Sequence, residues 1–372
     1  MKAIGIILAG GSGNRMGDLT SRRASAAMPV AGGYRAIDFA LSNMSNSGIE
    51  RVEVLPQFNA KSLTEHLNSS KWWDFGRKQG GLFVMHPTIT YENNSWYRGT
   101  ADAMHQNMEF LVKSHEPYVV ICSGDGISKM DYNEVLDAHV QKDADITIVV
   151  KRMPEGADLT RFGVAETDEN GRVLSLEEKP LNAKSQLVST GVYLIRRRLL
   201  IDLLDRTCGE GRYNFVQDVL IRLLPTLKVY AFETKGYWNN VTTIESYYET
   251  NMDFLKPEVR DYFFKQYPPV YTKADDLPPA KYNYGSAIKN SLVASGSIIN
   301  GTIENSVIFR NAFVGHGSVI RNSIIMEDVY IGENTTIENC IIESRDILKS
   351  NTVYAGEGGE IKVVLEKNKK DE

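Results

Sequence analysis

Cysteine is scarce in this chain. Three residues among 372, Cys122, Cys208 and Cys340, are odd in number and far apart. That excludes a disulfide framework and a cysteine-built metal site, and it points to buried or free thiols in a reducing cytoplasm. Long apolar runs are also absent: nothing approaches the roughly 20 residues that a membrane-spanning helix requires. The apolar start, Ile4–Leu8, is short and feeds directly into a glycine-rich turn, so it reads as a strand rather than a secretion signal. There is no surplus of positive charge either. Lys and Arg number 42 against 47 Asp and Glu, for a net charge of −5. No general electrostatic pull toward nucleic acid follows from that balance. The remainder, 42% apolar and 24% charged, is ordinary for a globular protein of about two domains.

Two periodicities divide the chain. Up to about residue 250, strand-like runs at Ile4–Leu8, Val52–Leu55, Tyr118–Cys122 and Ile146–Val150 alternate with helical spacing at Thr100–Lys113 and Tyr132–Gln141. This alternation predicts an α/β, Rossmann-like layered domain with a mostly parallel sheet, whose ligands gather at the carboxyl ends of the strands. Residues 251–290, with Pro257, Pro268, Pro269, Pro278 and Pro279, read as an irregular connector. A six-residue rhythm follows in residues 291–372. Val307, Phe313, Val319, Ile325, Ile331 and Ile337 keep it, and Ile342, Leu348 and Tyr354 continue it after a one-residue slip. The expectation is a parallel β-helix of hexapeptide repeats, with an antiparallel sandwich as the alternative. The Glu- and Lys-rich end, 357–372, reads as a last strand and a solvated tail.

Four segments carry candidate chemistry. In Leu8–Arg15, Gly10, Gly11 and Gly13 allow a tight turn that aims amides at phosphate oxygens, and Arg15 offers a guanidinium fork. A plain turn with a surface Arg is the competing reading. In Trp96–Asn107, Gly99 and Thr100 read as a helix start, with Thr100 as the cap and small residues that let a flat ring approach. Asp125 in Ser123–Gly126 stands where a cation ligand is natural, or where a turn needs an Asp. In Glu177–Pro180 and Ser189–Tyr193, Glu178 suits sugar hydroxyls and Lys179 a sugar phosphate, against a solvated charge run.

These segments, in this order and with the hexapeptide region behind them, resemble glucose-1-phosphate adenylyltransferase (ADP-glucose pyrophosphorylase) of bacterial glycogen biosynthesis. Leu8–Arg15, Tyr34–Asn46, Trp96–Asn107, Ser123–Tyr132 and Glu178–Pro180 carry the resemblance. It implies a nucleotidyltransferase domain followed by a left-handed β-helix. It also implies an Mg²⁺-dependent joining of ATP to glucose 1-phosphate, and a cytoplasmic tetramer. By match of position, Arg15 and the loop glycines face the triphosphate, Gln57 and Gly99-Thr100 the adenine, Asp125 one metal ion, and Glu178, Lys179 and Gly191 the sugar phosphate.

The departures from the family fall at the chemistry. Asn240 stands where the family has a metal-binding Asp, and Ser25 where it has a Lys. Asn14, Val216-Gln217 and Gly126 depart from three further motifs. The implied reading is a regulatory, catalytically impaired subunit with weakened or absent Mg²⁺ binding, paired with a catalytic subunit in a hetero-tetramer. An active Mg²⁺-dependent enzyme is the alternative. Arg22, Arg23 and Arg35 lie near where related enzymes bind anionic regulators; they are candidates for ATP or another anionic effector, or else solvated side chains. His316 is the one histidine of the solenoid, in a turn, and gives an acyltransferase reading little support.

Overall fold

The computed structural model describes residues 2–76, 80–88 and 96–365. The tail expected after the last strand lies almost wholly outside this range. By internal contacts the chain forms two compact units. One comprises residues 1–12 and 39–238, the other 13–38 and 239–372.

The first unit is built on a nine-stranded sheet. Its strands are β1 (Ala3–Ala9), β2 (Arg51–Pro56), β3 (Gly81–Val84), β4 (Tyr118–Ser123), β5 (Ile146–Arg152), β6 (Gly163–Thr167), β7 (Val173–Glu178), β8 (Leu187–Arg196) and β9 (Val229–Glu233). The main order is β7-β6-β8-β4-β1-β2-β3, with β5 joining β8 and β9. Pairing is parallel from β3 through β2 and β1 to β4, and again between β5 and β9. Around β8 it is antiparallel, so the sheet is mixed. β1 and β4 read as near-continuous apolar runs because residues on both of their faces are buried, as in a central parallel strand. The four expected strands are all present.

The helical stretch expected over 100–113 is two helices, Thr100–Gln106 and Met108–Val112, broken at Asn107. Asn107 donates back to the Ala103 carbonyl and to the Tyr97 hydroxyl, and that local bonding competes with helix continuation. The helix Tyr132–Gln141 is capped by Asp131, whose carboxylate accepts from the Asn133 amide at 2.9 Å.

The second unit contains the left-handed parallel β-helix. Three five-stranded parallel sheets form its sides, and a core of Ile303, Ile308, Val314, Ile320, Ile325, Ile331, Ile337, Ile342, Leu348 and Tyr354 fills it. Register partners lie 17 residues apart over most of the stack, as in Phe313↔Tyr330↔Ile347 and Thr302↔Val319↔Thr336↔Val353. Three hexads minus one residue make each coil, so the one-residue slip recurs every turn. This corrects the expected rhythm. Ile325, Ile331, Ile337, Ile342, Leu348 and Tyr354 do point inward, but in the coil before them the core residues are Ile308, Val314 and Ile320. Val307, Phe313 and Val319 sit one position off. Phe313 instead stacks on Tyr330 with centroids 4.8 Å apart.

Left-handed residues turn the corners: Asn290, Asn305, Asn322 and Asn339 stack along one, all at φ of 44–52°. Asn tolerates this conformation better than any other residue with a side chain except Asp.

The stretch expected to be an irregular connector, 251–290, is partly regular. It holds the end of the helix Ile244–Asp253, the helix Pro257–Phe264 and the first short solenoid strands, Lys281–Tyr282 and Ala287–Lys289. Pro257 causes no break because it occupies the first turn of the helix Pro257–Phe264, where no amide donor is needed.

Candidate functional site: strand ends of the sheet and the segment that continues its glycine loop

In the first unit, β1 ends at Ala9 and the chain turns through Gly10 and Gly11. A side chain at Gly10 would meet the Gln57 Cβ at 3.5 Å, whereas Gly11 faces open space. Gln57 follows the end of β2, and its buried Oε1 has no hydrogen-bond partner among the described residues. The next residue, Phe58, is largely exposed and lies parallel to the exposed ring of Trp96.

Beside β1, β4 ends at Ser123, whose hydroxyl donates to the Asp125 carboxylate at 2.5 Å. The Gly124 amide donates to the Leu8 carbonyl at 3.0 Å, tying the two strand ends together. A bulge in β8 between Ser189 and Val192 brings Gly191, at φ 74°, against Ser123. The Gly191 amide donates to the Ser189 hydroxyl. Ser189 and Tyr193 share a hydrogen bond at 3.3 Å, and burial, reinforced by the nearby Glu178, pushes the Tyr193 phenol up to about 12. Glu178 and Lys179 close β7. They face each other at 3.3 Å, with Lys179 in the left-handed region at φ 54°. The residue types suggested sugar hydroxyls for Glu178 and a phosphate for Lys179; here the two form an ion pair. Gly10, Gly11, Gln57, Asp125, Glu178 and Lys179 thus sit at or just beyond strand ends, where open α/β sheets gather ligands, and the bulge within β8 brings Gly191 to the end of β4.

Gly99 and Thr100 do something different from the expectation. Gly99, not Thr100, is the N-cap of the helix Thr100–Gln106, and its side chain-free backbone is needed because a Cβ there would lie 2.3 Å from the Tyr213 carbonyl oxygen. That carbonyl accepts from the Ala101 amide at 2.8 Å. The Thr100 hydroxyl accepts from the Phe215 amide at 2.9 Å, capping the π-helical turn Phe215–Ile221 rather than its own helix. Below them Asp102 is fully buried. It accepts from the Arg98 guanidinium and backbone amide and from Gln106. Burial pushes its carboxyl up, but these hydrogen bonds outweigh that and hold it below the usual range. Arg98 also lies over the Tyr213 ring, 3.8 Å from its centre.

One buried acid escaped the sequence reading. Glu53 in β2 is 1% exposed, and neither carboxylate oxygen has a hydrogen-bond partner among the described residues. Burial pushes it up to about 8. The available signal was a charged residue inside the apolar run Val52–Leu55.

In the second unit, Gly13 takes φ 65° and packs against Thr20, whose hydroxyl donates to the Gly13 carbonyl at 2.9 Å. Arg15 follows on an exposed turn. Arg23 is held by Glu343 at 2.5 Å and Arg35 by Glu327 at 2.8 Å, while Arg22 is exposed. An anionic effector at Arg23 or Arg35 would have to displace a carboxylate. Ser25 is buried. The Asn240 Oδ1 accepts from the Thr242 hydroxyl at 3.2 Å. His316 is exposed in its turn.

Among the described residues no three His, Cys, Asp or Glu side chains gather as a metal cage. That is compatible with Mg²⁺, which is held by one or two carboxylates together with substrate phosphates and water. Asp125 is the carboxylate at the strand ends that could join such a set. No helix among the described residues is long and apolar enough to cross a membrane.

A mixed α/β sheet with a glycine loop after its first strand, followed by a hexapeptide solenoid, defines the nucleotidyl transferase class. The Nucleotidyl transferase family pattern matches residues 4–257, and the GlmU-like C-terminal hexapeptide pattern matches 278–357. Among similar proteins, a glucose-1-phosphate adenylyltransferase of Pseudothermotoga lettingae is 41% identical over 98% of this chain and 87% of its own. One from Clostridium acetobutylicum is 40% identical over 85% and 84%. One from Thermosipho africanus is 38% identical over 85% and 77%. The chain belongs to the glucose-1-phosphate adenylyltransferase family.

Proposed function

We propose that this chain is a regulatory, catalytically impaired subunit that assembles with a catalytic glucose-1-phosphate adenylyltransferase subunit and modulates it. The reaction served is ATP plus glucose 1-phosphate to ADP-glucose plus pyrophosphate, in glycogen synthesis. The observation that carries the reading is the carboxamide of Asn240, a neutral ligand already accepting from Thr242, where the family resemblance calls for a second metal-binding carboxylate. Asp125 then grips the cation alone, and Mg²⁺ binds weakly. Ser25 in place of a Lys removes a cation from the same machinery. In-line nucleotidyl transfer depends on neutralising phosphate charge at the transition state. Loss of one metal carboxylate weakens that by several kcal/mol, about a hundredfold or more in rate.

The test is ADP-glucose synthesis with Mg²⁺ by the purified chain alone, by a catalytic relative alone, and by the two together. The chain alone should be nearly inactive and should raise the turnover or substrate affinity of its partner. The double substitution Asn240→Asp with Ser25→Lys should recover measurable activity. Full activity of the unmodified chain in isolation would refute the proposal. It would favour the second reading, an active enzyme using Asp125, substrate phosphates and water to hold Mg²⁺. That reading draws on the relatives' shared name and on the presence of Arg15, Asp125, Glu178 and Lys179.

A further inference from the structure

One outward side of the solenoid carries a straight row of alternating charge. The strands Thr302–Glu304, Val319–Arg321 and Thr336–Glu338 stack in parallel register, with Ala287–Lys289 before them and Val353–Ala355 after. Their middle residues, Ile303, Ile320 and Ile337, lie in the core, so the first and third residues of each strand point outward. The third residues are Lys289, Glu304, Arg321 and Glu338. They stand one above the next, about 4.8 Å apart. The first residues, Thr302, Val319, Thr336 and Val353, form a second row of short side chains beside the charges. Val353 is 70% exposed.

Contacts within the chain use only part of this charge. The Glu304 carboxylate lies 2.9 Å from Lys289 and 3.7 Å from Arg321. Glu338 has no ion-pair partner among the described residues. The Lys289 side chain is 79% exposed and that of Arg321 48%. Exposed pairs of this kind add little to the stability of the chain that bears them, so holding the coil together does not account for the alternation.

The order of the signs has a symmetry. From Lys289 to Glu338 it runs plus, minus, plus, minus, and turned end over end it runs minus, plus, minus, plus. A second copy rotated about a two-fold axis parallel to the strands therefore sets an opposite charge against every member of the row. Lys289 meets Glu338 of the second copy, and Glu304 meets Arg321. Sliding the copy by one coil in either direction brings like charges together, Glu304 against Glu304 or Arg321 against Arg321. The second row also faces itself, with Thr302 against Val319, and its short side chains let the two sides approach. A two-fold contact demands this kind of self-complementary surface.

We propose that this side of the solenoid is where two copies of the chain dock, with antiparallel axes, Glu304 of each paired to Arg321 of the other and Lys289 to Glu338. The tetramer that the resemblance implies fixes no face and no register; the order of signs fixes both. The pairing stands whether the chain is impaired or active.

Sedimentation velocity of the full chain over a range of concentrations tests the pairing. The unmodified chain alone should form a dimer that weakens as salt rises, because contacts between exposed charges are screened. Glu304→Arg and Arg321→Glu should each raise the dimer dissociation constant at least about tenfold, since like charges then face each other twice across the two-fold axis. An equimolar mixture of the two variants should associate again, because every charge once more meets its opposite. Both substitutions in one chain should restore the dimer without mixing. A folding defect would survive mixing, so recovery in the mixture assigns the loss to the contact between copies.

A chain that stays monomeric by itself overturns the proposal. So does assembly unchanged by either single substitution, and so do variants that remain apart when mixed. The proposal of impaired catalysis fails on a different measurement, ADP-glucose formation by the chain alone, so the two failures cannot be confused.

Discussion

Glu53 shows how one residue can set a pH dependence. A carboxyl group of ordinary pKa near 4.3 in the unfolded chain is raised to about 8 by burial in β2. Between those values the folded state binds a proton that the unfolded state does not, so stability falls as pH rises. The slope in this window reaches about 1.4 kcal/mol per pH unit, and above the folded value it levels off. Other ionisable groups near this face have partners. Tyr97 accepts from Asn107, Asp102 is paired with Arg98, Glu109 with Lys113, and the Arg51 guanidinium lies over the Phe83 and Phe110 rings. We therefore expect Glu53→Gln to flatten the decline in urea-unfolding midpoint between pH 5.5 and 8.5. An equally steep decline in the variant would show that another group is responsible. A lone Glu among Val and Leu marked the position in the sequence. The sequence did not reveal whether a partner awaited it, because that depends on side chains from distant segments.

At the scale of elements, Thr100 illustrates a motif read correctly as a cap but assigned to the wrong helix. Its hydroxyl serves the Phe215 amide, more than a hundred residues away in the chain. Local spacing cannot foretell that, since an N-cap preference describes only the turn it starts. Thr100→Val keeps the shape and strands a buried amide. It should cost about 1–3 kcal/mol, measured as a shift in unfolding midpoint, whereas an unchanged midpoint would make the bond incidental. The solenoid was more legible, because Ile and Val at a strict six-residue spacing fit a stacked coil better than a sandwich, whose strands alternate in twos. The sequence hid the length of the coil. Six-residue spacing from Val307 to Ile337 looked uninterrupted, yet consecutive coils are offset by 17 residues, and Val307 is buried without belonging to the inner core. The strand ends bearing Gly10, Asp125 and Glu178 were also legible, since each follows an apolar run. The bulge that brings Gly191 to Ser123 was not, because it arises from the mismatch between paired strands.

Across the whole molecule, the division of the chain departs from a simple front and back. The second unit takes in residues 13–38 as well as 239–372. Those first residues are secured there by Arg23 on Glu343, by Arg35 on Glu327 and by Asp38, which accepts from the Thr272 hydroxyl. A truncated chain ending at 256 would therefore lose the anchors of a segment far from the cut. Trypsin should cleave such a chain rapidly at Arg22, Arg23 and Arg35, while the same bonds in the full chain survive. Equal resistance in both would mean that 13–38 holds its fold without the solenoid.

The glycine loop thus begins in one unit, at Gly10, and continues in the other, with Arg15. Shuffling parts between relatives must respect this seam. A β-helix borrowed from another family member would arrive without the acidic corners that match this N-terminal stretch, so a working chimera has to import the donor's residues 13–38 along with its tail. Homologous recombination with a single crossover cannot deliver both pieces and keep the recipient's residues 39–238. Inheritance in this lineage should accordingly tie two distant stretches of sequence to a common ancestry.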